Sequence, residues 1–117
     1  SAGYTTGIIS NMSTNGQQLA QDMHLDRYAD FVVTSGDVGQ GKPHAPIYLA
    51  SLARANVDAD QAIHVGDSIS ADVEGALAAG IHAIYMNRYP DIPPDEMVPE
   101  GVTTVHTLAD VEVLLGL

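Results

Sequence analysis

Short apolar runs alternate with amphipathic segments along the chain, and the two patterns predict different elements. The apolar runs are rich in β-branched residues and predict strands at 7–10, 31–34, 62–65 and 83–86. Apolar residues at helical spacing predict helices between these strands, at 16–23, 43–55 and 72–79. Gly80 lies just past the last of these helices, where glycine commonly ends a helix. A short edge strand at 103–105 and a helix capped by Thr107 and running to Leu115 complete the pattern.

Two stretches show neither an apolar strand run nor apolar residues at helical spacing. Residues 35–41 contain three glycines and predict a flexible connection, and Pro43 is suited to the first turn of the helix that follows. Residues 88–101 hold four of the six prolines and predict a long surface loop. Because strands otherwise alternate with helices of about ten residues, we expect parallel βα units with right-handed crossovers. The fold class is therefore α/β, with one domain and helices on both faces of the sheet.

Composition narrows the classes of partner. The chain has 117 residues, one Phe and no Trp, so its core must be aliphatic. Fifteen acidic residues against four basic ones give a formal charge of −11, which repels nucleic acid and anionic membranes. We therefore expect neither as a partner. The absence of cysteine, of a signal-peptide pattern and of a run of about 18 apolar residues fits a cytoplasmic protein.

Polar residues that could bind a ligand or take part in catalysis lie at or beyond the carboxyl ends of three predicted strands. Ser10 ends the first strand and Asn11 follows it, Lys42 follows the second strand, and Asp67 and Asp72 follow the third. The carboxyl ends of parallel strands converge on one crevice, where open α/β sheets bind their ligands. Each residue alone has a simpler explanation. Ser10 can cap a turn, Lys42 can be a surface lysine, and the two aspartates can cap the helix after them.

Taken together, the segments GIISN, VGQGKP and GDSISAD resemble three of the four motifs of the haloacid dehalogenase-like hydrolases. The resemblance extends to the segments LDRYADF, PIY and DVEGA, and covers about residues 3–90. It implies a Rossmann-like, three-layer α/β/α fold with a mainly parallel sheet. It also implies hydrolysis of small phosphorylated metabolites through a phosphoaspartyl intermediate, with Mg²⁺ as the cofactor.

The resemblance assigns a role to each of the five polar residues. Ser10 would hydrogen-bond a phosphoryl oxygen, with Asn11 beside it in the phosphate site. Lys42 would pair with both the phosphate and the nucleophile, so Ser10 and Lys42 are the catalytic candidates. Asp67 would bind the metal directly, and Asp72 would bind it directly or through its water shell. These roles suit phosphoryl transfer, which depends on positioning and on neutralising charge. The family's dehalogenases need no metal, so the two aspartates favour a phosphatase.

The family's first motif does not occur in this chain. It carries the nucleophilic aspartate and a second catalytic aspartate, and it would supply the central strand between the strands at 7–10 and 62–65. We therefore expect the isolated chain to be inactive and to bind Mg²⁺ weakly or not at all. A fragment, a truncated gene product and a chain completed by another copy or subunit would each explain the absence. The seven residues at 35–41 leave no room for an inserted cap domain, and a cap of the other kind would lie upstream.

Two functions remain open from the sequence. The first is the enzyme portion just described, and the second is a non-catalytic module of the same fold that acts through self-association or protein binding. Because the two strands beside the absent one would expose unpaired backbone groups, we expect a homodimer. The five histidines show no metal-ligand spacing and are expected in packing or surface positions: His24, His44, His64, His82 and His106.

Overall fold

A computed structural model describes residues 4–27, 29–91 and 97–115 of the chain. Strands and helices alternate as the sequence predicts, and every strand pair is parallel. The strands are β1 (Gly7–Ser10), β2 (Phe31–Thr34), β3 (Ile63–Gly66), β4 (His82–Met86) and β5 (Thr103–Val105). The helices are α1 (Gly16–Met23), α2 (Ser35–Val38), α3 (Ala45–Ala55), α4 (Gly75–Ala78) and α5 (Leu108–Leu115). Within the described ranges, no helix is long and apolar enough to cross a membrane.

The strands form two separate sheets rather than one. β1 pairs with β2, while β3 pairs with β4 and β4 with β5, and no pairing joins β1 to β3 among the described strands. Neither β1 nor β3 contains a fully buried residue, whereas three residues of β2 and three of β4 are buried. This order is unusual, because the inner strands of a parallel sheet are normally the ones covered on both faces. The edges of β1 and β3 thus border a gap in the sheet.

Helix α3 holds the two sheets in one structure. Its residues Ile47 and Tyr48 are completely buried and pack with Val33 of β2 and with Ala76 of α4. Ile9 of β1 and Ala83 of β4 lie against the same cluster, so this core reaches both sheets on one face.

A second core covers the opposite face of β4. Ile84 and Met86 pack there with Val105 of β5 and Val111 of α5. Side chains alternate between the two faces of a strand, so Tyr85 points the other way, toward Ile69 and Val73. The arrangement confirms the α/β class with helices on both faces of a parallel sheet.

Three local predictions were wrong. Residues 35–38 form α2 rather than a flexible connection, because Thr34 caps this helix and Asp37 bonds back to the Thr34 N–H. Pro43 does not enter the next helix: its bond to Lys42 is cis, α3 starts at Ala45, and Pro46 occupies the first turn. The helix predicted at 72–79 is a π-helical turn at Ile69–Glu74 followed by α4.

Other local predictions hold. Gly80 adopts a positive φ of 81° just past the end of α4. Thr107 accepts a bond from the Asp110 N–H at the start of α5. Part of the surface loop predicted at 88–101, residues 92–96, lies outside the described residues.

Gly75 lies at the contact between α3, α4 and the Lys42–Pro43 segment. A Cβ atom at this position would sit 2.7 Å from the Tyr48 hydroxyl oxygen and 2.9 Å from Pro43 Cα. In an open helix, replacing Gly by Ala stabilises by about 0.5–1 kcal/mol. Here we expect Gly75→Ala to lower the free energy of unfolding by about 1–3 kcal/mol, since overpacking outweighs helix propensity. Urea unfolding followed by circular dichroism measures the change.

The control is the same substitution in a Tyr48→Phe background. Loss of the hydroxyl removes the nearest obstacle, so Gly75→Ala should cost less in this background than in the wild type. Equal stability of Gly75→Ala and the wild type would contradict the close packing at Gly75.

Candidate functional site

The π-helical turn places Asp72 over the end of β3. The N–H groups of Asp72 and Val73 both bond to the Ser68 carbonyl, at 2.8 and 3.2 Å, which widens the turn by one residue. The Asp72 carboxyl then lies against Gly66, where a Cβ atom would come within 2.2 Å of the carboxyl carbon. Glycine is therefore required at position 66 for Asp72 to occupy this place.

Three donors surround the buried Asp72 carboxylate. Lys42 Nζ lies 2.7 Å from Oδ1, and His64 Nε2 lies 3.0 Å from the same oxygen. The Ser68 N–H donates to Oδ2 at 3.1 Å. Burial by itself would raise the pKa of Asp72, but the hydrogen bonds from His64 and Lys42, the Lys42 charge and the Ser68 N–H outweigh it. The pKa of Asp72 is held well below its usual range, and the group is a carboxylate at neutral pH.

Asn11 ties the Lys42 backbone to the loop after β1. Its Nδ2 donates to the Lys42 carbonyl at 3.1 Å, and its Oδ1 accepts from the Lys42 N–H at 2.7 Å. A Cβ atom at Gly41 would lie 2.4 Å from Asn11 Oδ1, so glycine is needed beside this clamp. Asn11 thus positions Lys42 in this structure, and its predicted contact with phosphate stays a prediction.

Tyr48 supports the site from beneath. Its hydroxyl donates to the Ala71 carbonyl at 2.6 Å, and its ring meets the His64 ring edge-on, with centroids 5.3 Å apart. Burial, and then the negative charge of Asp72, raise the pKa of Tyr48, so the hydroxyl keeps its proton and remains a donor at neutral pH.

The structure brings together three of the five residues singled out from the sequence: Asn11, Lys42 and Asp72. Ser10 is half-buried at the end of β1, and Asp67 is exposed beside the π-helical turn. Within residues 4–27, 29–91 and 97–115, no hydrogen bond or ion pair involves either side chain. The same ranges contain no group of three or more His, Asp or Glu side chains placed to hold a metal ion.

Sequence reasoning missed His64 and Tyr48. Strand periodicity offers a signal for His64, because residues 64 and 66 lie on the same face of β3 and Gly66 leaves that face open for Asp72. No comparable signal marks Tyr48, whose contact with the turn at Ala71 joins residues 23 positions apart.

The lowered pKa of Asp72 generates a prediction about acid stability. The ionised group stabilises the fold above its unfolded pKa of about 3.9, and this contribution is lost as the pH falls toward the lower folded value. We expect Asp72→Asn to reduce the free energy of unfolding at pH 7 by about 1–3 kcal/mol. The difference from wild type should shrink below about pH 4.

Urea unfolding at several pH values measures this difference. Asp67→Asn is the matched control, since its exposed carboxylate should give little change at any pH. A cost of Asp72→Asn that stays constant from pH 7 to pH 2 would show that packing, not charge, is responsible.

Comparison with known proteins connects this geometry to a family. The sequence pattern of the haloacid dehalogenase-like hydrolases matches residues 1–80. A ribulose-1,5-bisphosphate 5-phosphatase from Halopiger xanaduensis is 35% identical over 102 residues, which are 86% of this chain and 43% of that protein.

Two solved structures cover 97% of the chain. A phosphatase of the family from Thermococcus onnurineus has a TM-score of 0.81 at 33% identity, over 51% of its own chain. A 2-haloacid dehalogenase from Pseudomonas syringae has a TM-score of 0.80 at 32% identity, over 46% of its chain. The chain spans less than half the length of the first curated relatives that it matches. Since the family pattern matches 80 of 117 residues, this protein belongs to the haloacid dehalogenase-like hydrolases.

Proposed function

We propose that the chain is part of the catalytic core of a Mg²⁺-dependent phosphatase that acts on small phosphorylated metabolites in the cytoplasm. The observation that carries this proposal is the Lys42 ammonium held on the buried Asp72 carboxylate at the ends of the strands. A fixed cation at this edge of the sheet suits a substrate with a phosphoryl group. The similarity to phosphatases from Halopiger xanaduensis and Thermococcus onnurineus supports the same class of reaction.

Lys42 has donors to spare for this role. An ammonium group carries three N–H donors, and one of them is used by Asp72. The other two can serve a phosphoryl oxygen and an attacking carboxylate. Ser10 is the last residue of β1, and its hydroxyl can donate to a second phosphoryl oxygen. Asn11 holds the Lys42 backbone in place, so that the Lys42 ammonium can contact the phosphoryl group.

Asp67 is the residue best placed to bind the metal. Its exposed carboxylate is an oxygen ligand of the kind that Mg²⁺ prefers, whereas Asp72 already accepts three hydrogen bonds. Magnesium would supply positive charge that shields the phosphoryl oxygens from the surrounding carboxylates. With Asp67 as its one direct protein ligand here, the ion would depend on water and on further oxygen ligands. Asp72 would contact the metal through its water shell.

The nucleophile would come from a strand that fills the gap between β1 and β3. Within the described residues both strands have one edge without a strand partner, and one more strand would pair with both of these edges. A carboxylate at the carboxyl end of such a strand would face Lys42. Attack of that carboxylate on phosphorus would break the bond between phosphorus and the ester oxygen, which takes up a proton and leaves as the alcohol. The aspartyl phosphate formed is then hydrolysed by water to inorganic phosphate and the free carboxylate.

We expect the isolated chain to release no phosphate from a general phosphatase substrate with Mg²⁺, and to bind Mg²⁺ only weakly by calorimetry. Joined to the remaining half of the Thermococcus onnurineus phosphatase, it should hydrolyse phosphate monoesters. Lys42→Ala should then lower kcat by a factor of about 10² or more, because fixed positive charge is lost from the transition state.

Arg88→Ala is the control for general charge effects, since Arg88 is exposed beyond β4. Release of halide from a 2-haloacid without metal would assign the joined protein to the dehalogenases instead. Phosphate release by the isolated chain that disappears in Asp67→Ala would contradict the need for the additional strand.

A second candidate is a non-catalytic module that acts through self-association. The observation in its favour is the pair of free strand edges at β1 and β3, which tend to recruit another chain. Exposed apolar residues beside one edge add to this tendency, since Ile63 at the start of β3 is 45% exposed. In such a module a second copy or a partner protein would occupy the gap, whereas in the phosphatase a strand carrying the nucleophile would occupy it.

We expect the isolated chain to form a homodimer at micromolar concentration. A lysine beside a strand edge opposes edge pairing, so Ile63→Lys should raise the proportion of monomer. Leu77→Lys is the matched control, because Leu77 has a similar exposure of 43% but lies on α4, away from the gap. Sedimentation equilibrium measures the mass, and a single species near 12.3 kDa that unfolds cooperatively would contradict the dimer.

A further inference from the structure

His64 donates to the oxygen of Asp72 that also holds Lys42. Its Nε2 atom lies 3.0 Å from Oδ1, and Lys42 Nζ lies 2.7 Å from that same atom. The other oxygen, Oδ2, accepts the Ser68 N–H. A carboxylate can rotate about its Cβ–Cγ bond. Because His64 donates to Oδ1 and Ser68 donates to Oδ2, the two hydrogen bonds together oppose this rotation. With the rotation stopped, Oδ1 stays directed at Lys42.

The protonation of His64 follows from its partner. An ionised carboxylate has no proton to give, so the hydrogen of this bond must be on Nε2 of His64. The imidazole is 14% exposed as a side chain, and the Tyr48 ring meets it nearly at right angles, with an interplanar angle of 88°. Tyr48 is in turn bonded to Ala71, the neighbour of Asp72. The imidazole therefore has a fixed orientation.

We propose that His64 is a positioning residue that orients Asp72 and, through it, the ammonium of Lys42. The role of Lys42 toward phosphate rests on the proposed function, whereas the chain of contacts from His64 to Lys42 does not. A residue that served only to fill space could be replaced by leucine without consequence for Lys42. A positioning residue needs a donor at the distance of Nε2, which glutamine can reach and asparagine cannot.

Lys42 is the only lysine in the sequence, so its chemistry can be followed directly. Acetic anhydride under limiting conditions, with the modified peptide quantified by mass spectrometry, reports how firmly the ammonium is held. We expect His64→Leu and His64→Asn to raise the acetylation rate of Lys42 by about three- to ten-fold, the range for the net loss of a typical hydrogen bond. His64→Gln should keep the rate close to that of the wild type.

Two further variants calibrate this experiment. Asp72→Asn, which removes the partner of Lys42, should give the upper limit of the rate. His82→Leu alters an exposed histidine on the neighbouring strand β4 and should leave the rate unchanged. Circular dichroism establishes that each variant is folded, and the polar pair Gln and Asn provides the comparison if leucine prevents folding. Equal acetylation rates in wild type, His64→Asn and His64→Leu would overturn the proposal.

The outcome is separable from the proposed function because acetylation requires no turnover. In the joined phosphatase, His64→Asn should lower kcat by about three- to ten-fold with little change in KM, and His64→Gln should restore it. Inactivity of the joined protein together with the predicted acetylation rates would count against the phosphatase and leave the role of His64 standing.

Discussion

The buried carboxylate of Asp72 is the interaction on which the rest of the site depends. Lys42 enters from the loop before α3, His64 from β3 and Ser68 from the π-helical turn, and all three donate to this one group. A buried negative charge is costly unless it is paired and hydrogen-bonded. The three donors together keep the buried carboxylate ionised, and the carboxylate in turn is the common acceptor to which all three point.

Two glycines allow the close packing around the Asp72 site. Gly66 gives the carboxyl room, and Gly75 lets α4 approach Tyr48 and Pro43. The completely buried Tyr48 connects α3 to the π-helical turn that carries Asp72, through the hydrogen bond from its hydroxyl to the Ala71 carbonyl. Thus the residues that pack the core between the two sheets are also those that support the ion pair, and a substitution in one is expected to be felt in the other.

The gap between β1 and β3 is the other organising feature. A sheet normally places its most buried strands at the centre, yet here β1 and β3, the end strands that border the gap, contain no fully buried residue. The carboxyl ends of both strands carry candidate site residues: Ser10 ends β1 and Asn11 follows it, and Asp67 follows β3. A strand in the gap would complete the hydrogen bonding of the sheet and bring a further side chain to Lys42. The unpaired strand edges and the proposed reaction would therefore both be satisfied by a strand in the gap.

The sequence by itself determined the order of strands and most helices, and it placed the candidate site residues at the carboxyl ends of the strands. Short apolar runs located all five strands and helical spacing located α1, because those signals are local, and glycines, prolines and capping residues act within a few positions. Only the tertiary structure decided which groups meet. His64 and Lys42 reach Asp72 from 8 and 30 positions away, and the division of the sheet depends on pairing between distant strands. The π-helical turn also escaped prediction, because its extra residue is stabilised by the contacts of Asp72 and not by any local preference of residues 69–74.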